Sequence, residues 1–211
     1  MPEELGPIIK NIKNVKEEKF GDLVVYSGIW IDDRDKKVYV SLAWSGWGKV
    51  SAARATTRLL SISYKERKID LVFFTGVAGA TRENLKQWDI ILADSVIQHD
   101  MDARPIFKKF IIPSINKDIL QPNKNLLEHI FKSLKYELNQ GDLNWFGSIY
   151  KGLIATGDKF ISNKNDLDPL SNYLKDLHAV EMEGAAFAQV CFQEKVEWFI
   201  IRVISDDADG S

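Results

Sequence analysis

The segment VEMEG sets two carboxylates, Glu181 and Glu183, on either side of Met182 and runs directly into the small-residue apolar stretch GAAFAQVC. Acids in the first turn of a helix complement its dipole by about 0.3–1 kcal/mol, which accounts for one of the two. Carboxylates at alternate positions of a strand share a face and repel each other unless a group between them donates or shares protons. A sugar hydroxyl pair is a suitable partner, because one carboxylate accepts two hydrogen bonds. ISDDAD brings Asp206, Asp207 and Asp209 together after an apolar run. An acid catalyst, a hard-cation site and plain turn chemistry all fit that pattern, and HDMD at 99–102 could add oxygen ligands to a cation site. FFTGVAGA places Gly76 and Gly79 after an apolar run, as a structural turn or as a close backbone approach to a ligand. It matches neither the dinucleotide fingerprint nor the phosphate-cradling loop. His99, His129 and His178 lack the spacing of a zinc site, and no GxSxG elbow occurs. Cys191 lies inside an apolar helix with no base beside it and reads as core.

The elements that must position these residues alternate between the two periodicities. PEELGPIIKNIKN carries Pro2 at a helix start and apolar residues at Leu5, Ile8, Ile9 and Ile12. DLVVYSGIWI and KKVYVSLAW read as strands joined through the polar turn DDRDKK. GKVSAARATTRLLSISYKER reads as a helix up to Arg67. IDLVFFTG and DIILADSVIQHD are apolar without alternation, which predicts strands covered on both faces. NKNLLEHIFKSLKYELNQ is an amphipathic helix, GSIYKGLIATG a strand pair or one bent strand, and DLDPLSNYLKDL a short helix. HAVEM, EGAAFAQVCFQEK and VEWFIIRVIS then predict strand, helix and a final buried strand. The fold class is therefore α/β, with a central twisted, mixed sheet flanked by helices. Ligands of such sheets bind beyond the strand ends, and glycines and carboxylates gather there.

Of the 211 residues, 45% are hydrophobic and 27% charged, with a net charge of −2. That composition predicts one globular domain over 1–211 and gives no basic excess for nucleic acid. KERK and KKF are short enough to be solvated faces. One cysteine precludes a disulfide framework within the chain, and the first 20 residues carry no apolar signal core. With no apolar run near the ~20 residues that span a bilayer, a cytoplasmic protein without membrane or nucleic-acid partners is expected.

TGVAGA, ATGDKFI, AVEMEGAAFAQVC and RVISDDAD, in that order, resemble the 5′-methylthioadenosine/S-adenosylhomocysteine nucleosidases of the purine nucleoside phosphorylase superfamily. SGWGKVSAA and MPEEL fit the same family, so the resemblance runs over most of the chain. It implies a nucleoside phosphorylase-like three-layer fold and hydrolysis of the N-glycosidic bond of an adenine nucleoside, without metal or organic cofactor. Asp206 matches the purine-side acid, which needs a proton held by burial or by nearby acids, with Ser205 orienting it. Glu183 matches the ribose-hydroxyl binder with Met182 against the sugar, leaving Glu181 structural. Glu4 matches the base that positions the attacking water. Phe160 and Ile161 match the purine pocket, and Ala78 and Gly79 the turn lining the ribose and water site. Trp47 stands in place of a smaller aliphatic residue at the 5′-tail position. Val77 stands where many members have Ser, Ala80 where a second Gly is usual, and Trp88 where Gly tends to precede the Asp. A homodimer is implied as well. Against the family pattern, the chain is expected to lack the first strand and the last helix, leaving an apolar groove. A phosphorylase of the same superfamily and a catalytically inactive nucleoside-binding homologue are the alternatives.

Overall fold

The computed structural model describes residues 2–32, 34–62 and 68–207, and the side chains of these except 2–4, 164 and 207. Helix α1 spans Pro2–Ile9, with proline at its first position, where the missing N–H costs nothing. Three strands follow as an antiparallel meander: β1 (Lys13–Phe20), β2 (Leu23–Ile31) and β3 (Lys37–Ala43). β1, KNVKEEKF, lies outside the elements expected from the sequence because its charged residues show no apolar alternation. It is an edge strand, where charge is tolerated and blocks further pairing. The Gly21–Asp22 turn joins it to β2, and Arg54 ties that turn down through the Phe20 carbonyl at 2.6 Å and Asp22 at 2.8 Å. Helix α2 (Lys49–Ser61) ends earlier than its sequence suggests, with Ile62 already extended; 63–67 lie outside the described residues.

The second sheet is built from β4 (Leu71–Ala80), β5 (Ile90–Gln98), the short β6 (Ile119–Leu120), β7 (Ile149–Thr156), β8 (Leu177–Glu181) and β9 (Glu197–Asp207). Between them run α3 (Lys124–Gln140), α4 (Lys164–Tyr173) and α5 (Gly184–Glu194). Asn123 caps α3 by accepting from the Asn125 and Leu126 amides, and Gly141 closes it in the left-handed conformation. β4 and β9 run parallel, as do β5 with β7 and β7 with β8, while β8 meets β4 and β5 meets β9 antiparallel. The ladders thus close on themselves, and the sheet is mixed and flanked by helices, as the alternating signals predict. Closure explains the nearly unbroken burial of β5: one face looks into the closed sheet and the other is covered by helices.

β4 departs from that expectation. Leu71, Phe73 and Val77 are exposed, although the run is as apolar as β5. Their face opens on a groove of about 830 Å³ that is also lined by Leu5, Ile8, Trp88 and Phe146. Helix α5 is the central core element: Phe187 stacks on Phe74 at 5.2 Å and meets Trp198 edge-on at 6.3 Å. Cys191 on its far turn is fully buried, and burial pushes its thiol up to about 12, so it is packing material and not a nucleophile. No helix among the described residues is long and apolar enough to cross a membrane.

Candidate active site

The site forms where four strand ends converge. Thr156 closes β7 opposite Glu181 of β8, Val180 faces Gly79 of β4, and Gly79 faces Asp206 of β9. The register of β4 against β9 shifts between Ala78 and Gly79, which bends the strand where it meets the pocket. Gly76 and Gly79 therefore lie inside a strand and not in a turn after one. Gly76 has a packing reason: a Cβ there would overlap Arg202 Nη1, so only glycine leaves room for the guanidinium beside β4.

That guanidinium organises the two glutamates. Strand β8 stops at Glu181, so Glu181 and Glu183 do not share a face as they would in a continuous strand. Glu181 folds back under the start of α5 and accepts the Gly184 amide at 2.7 and 3.0 Å and the Glu183 amide at 3.1 Å. It also accepts from Thr156 Oγ1 and forms an ion pair with Arg202; both side chains are almost fully buried. Thr156 Oγ1 in turn accepts the Ala185 amide at 2.8 Å. A helix N-terminus and a buried cation thus hold one carboxylate in place. Glu183 points instead into a pocket of about 360 Å³. Its Oε1 accepts the Gly48 amide at 2.8 Å, and its Oε2 lies 3.4 Å from Arg202 Nη2. Burial and then the neighbouring Glu181 raise its pKa above the usual glutamate range, against the opposing Gly48 amide and Arg202.

The same pocket is lined by Trp47, Ala78, Gly79, Phe160, Ile161, Met182, Ser205 and Asp206. Ser205 Oγ donates to Asp206 Oδ2 at 2.6 Å, and the Ser205 carbonyl accepts from Gln87 at 3.0 Å. Asp206 is exposed at the mouth, so the burial expected around this acid is not what surrounds it; the Ser205 hydroxyl is its neighbour. Ile161 is buried, while Phe160 and Trp47 are 64% and 70% exposed and border an open entrance. Trp47 sits between Gly46 and Gly48, both at positive φ, in a turn that glycine readily adopts. The Glu4, Asp207 and Asp209 side chains lie outside the described residues.

Other candidates lie elsewhere or are already engaged. Asp100 pairs with Lys49, and Asp102 with Arg104. Among the described residues no group of three or more His, Cys, Asp or Glu could hold a metal ion. His99 and His178 are held below the usual histidine range by burial first of all, and neither lines the pocket; His129 is an exposed residue of α3. Sequence reasoning missed Arg202, Thr156 and the Gly48 amide. A signal for Arg202 existed: it is the one charge inside FIIRVIS, and a charge inside a buried strand needs a partner.

The family model of the phosphorylase superfamily matches residues 1–211. The 5′-methylthioadenosine/S-adenosylhomocysteine nucleosidase of Haemophilus ducreyi is 32% identical over 209 residues, covering 99% of this chain and 83% of that protein. The crystal structure of the Neisseria meningitidis enzyme of the same name, in complex with methylthio-immucillin-A, superposes with a TM-score of 0.83 at 29% identity, covering 100% of this chain and 84% of that one. Futalosine hydrolase of Helicobacter pylori gives a TM-score of 0.78, also at 29% identity, covering 100% and 83%.

Proposed function

The chain belongs to the phosphorylase superfamily and, within it, to the 5′-methylthioadenosine/S-adenosylhomocysteine nucleosidases, and on that premise we propose that its pocket hydrolyses the N-glycosidic bond of an adenine nucleoside with a 5′-thio substituent. The observation that carries this reading is the placement of two carboxylates of different environment in one pocket: Asp206 beside Ser205 on one wall and Glu183 beside Met182 on another. The volume, about 360 Å³, suits a small-molecule ligand.

The chemistry follows from where charge develops. Adenine leaves poorly as an anion and well as a neutral base, so Asp206 donates a proton to the purine N7 as the C1′–N9 electron pair departs to the ring. The ribose gains oxocarbenium character, and Glu183, accepting the sugar hydroxyls, stabilises that cation more than the neutral ground state. Arg202 and the Gly48 amide fix the Glu183 carboxylate before substrate arrives. Phe160 stacks on the base and Ile161 reads its edge through the backbone. Water attacks C1′ and gives up its proton to a base, the role assigned to Glu4. Trp47 borders the 5′-tail. Phosphorolysis would need a cation free to hold phosphate near the glycines of β4; Arg202 is already committed to Glu181 and Glu183, and Val77 offers no hydroxyl.

The protein works as one domain in the cytoplasm, and as a homodimer whose second copy covers the exposed Trp47 and Phe160 at the entrance. The test is to incubate the protein with methylthioadenosine, S-adenosylhomocysteine and adenosine and to follow free adenine by chromatography. Adenine release from the thio-substituted nucleosides is expected; no adenine from any of the three would overturn the reading.

A further inference from the structure

Behind the pocket, the first turn of α2 touches both of its functional walls. The Gly48 amide binds Glu183 on the ribose side, and the next amide, of Lys49, donates to Asp158 Oδ1 at 2.8 Å on the purine side. Asp158 stands two residues before Phe160. Its own amide donates to Asp100 Oδ2 at 2.9 Å, and Asp100 Oδ1 accepts from Lys49 Nζ at 2.7 Å. Lys49 Nζ also lies 4.0 Å from Asp158 Oδ2 and 3.4 Å from Gln98 Oε1, and Gln98 is tied to Gln189 of α5 at 2.7 Å. The Lys49 side chain is only 18% exposed, and that of Asp100 30%. Burial pushes Asp100 up, but the Lys49 ammonium and the Asp158 amide outweigh it and hold the carboxyl below its usual range. The result is a closed ring: helix start, purine loop, end of β5, and back to the helix through one lysine.

We infer that Lys49 is a positioning residue for catalysis, whose ammonium, through Asp100 and Asp158, locks the Phe160–Ile161 loop to the helix turn that holds Glu183. The inference rests on the nucleosidase reading of the pocket. Lys49 does not line the pocket and touches no reacting atom; it acts by fixing the spacing between the wall that binds the base and the wall that steadies the sugar. Two binding elements on separate loops gain affinity only when their separation is set beforehand, and a misplacement of about 1 Å can cost about 10²-fold.

The experiment compares wild type with K49M, K49R, D100N and the K49M/D100N double variant. It reads adenine affinity by calorimetry, KM and kcat on methylthioadenosine, and melting temperature. K49M and D100N should each weaken adenine binding about tenfold and raise KM by a similar factor, the loosened loop losing a fraction of a larger misplacement penalty. K49R should restore most of both, because it keeps a cation within reach of Asp100. The double variant should be no worse than the more severe single one, since both break the same link. Unchanged adenine affinity and KM in folded K49M, or additive losses in the double variant, would overturn the inference. Should K49M fail to fold, D100N, which keeps an acceptor for the Asp158 amide, decides the matter by the same readouts. A wild type that binds adenine but turns over no nucleoside sinks the nucleosidase reading, while the adenine affinities still judge the clamp.

Discussion

Replacing Glu181 by glutamine tests how the pocket is held together. Glu181 and Arg202 are 3% and 4% exposed at the side chain, so neither has water to fall back on. Glu181 accepts from Arg202, Thr156, Glu183 and Gly184, and all of these are donors. Glutamine presents one oxygen and one NH₂, so at least one donor must face another donor, and among the described residues Arg202 keeps only Glu183 at 3.4 Å as its counter-charge. Removing one partner of a buried pair costs about 3–5 kcal/mol. With an unfolding entropy of ~2.1 cal/mol/K per residue over 211 residues, the melting temperature should fall by about 7–11 °C. Urea unfolding followed by tryptophan fluorescence should show a lower midpoint with an unchanged slope. Adding R202M should recover part of the loss, because the guanidinium no longer lies buried without Glu181, while Glu183 keeps the Gly48 amide as its donor. A loss under about 1 kcal/mol in E181Q, the range of an exposed pair, would refute the argument that this ion pair is the buried anchor of the site.

Three further outcomes follow from the same geometry. Asp206→Asn should lower kcat by at least about 10²-fold in steady-state assays while changing adenine affinity far less, since the role proposed for the group is proton transfer; comparable rates would remove the proton-donor role. Glu183 has a raised pKa, so its charge is lost on acidification above the ordinary glutamate value of about 4.3, and kcat/KM should fall there. The stability linked to that raised pKa is full below the unfolded value and is lost as pH rises through the folded one. E183Q, neutral throughout, should therefore melt above wild type by a margin that grows with pH, while turning over poorly; a margin that shrinks with rising pH would contradict the sign. Gly76→Ala should displace Arg202, costing about 1–3 kcal/mol in chemical denaturation together with most activity; wild-type stability would show that the strand gives way instead.

Much of this was legible in the chain because the signals are local. Unbroken apolar runs such as IILADSVI and WFIIRVIS announce strands buried on both faces, and the small-residue run after Glu183 announces a packed helix. The pocket residues Glu183, Met182, Ser205 and Asp206 sit at the ends of such runs, where sheet geometry concentrates function. What stayed hidden depends on pairing at long range. Lys49 and Asp100 are 51 positions apart, and nothing near either foretells the other. Gly76 reads as a turn glycine until Arg202, from another strand, is seen to need its space. β1 is hidden for the opposite reason: an edge strand can be charged on both faces and still pair through its backbone.

In the proposed reaction water, and not phosphate, takes the sugar from the purine in this pocket. The direct measurement is turnover of methylthioadenosine in phosphate-free buffer made with ¹⁸O-water, followed by mass spectrometry of both products. Hydrolysis gives adenine without label and a 5-thio-substituted ribose carrying one ¹⁸O at the anomeric position in the first turnovers. Adenine release that requires phosphate, or no release at all, would contradict it.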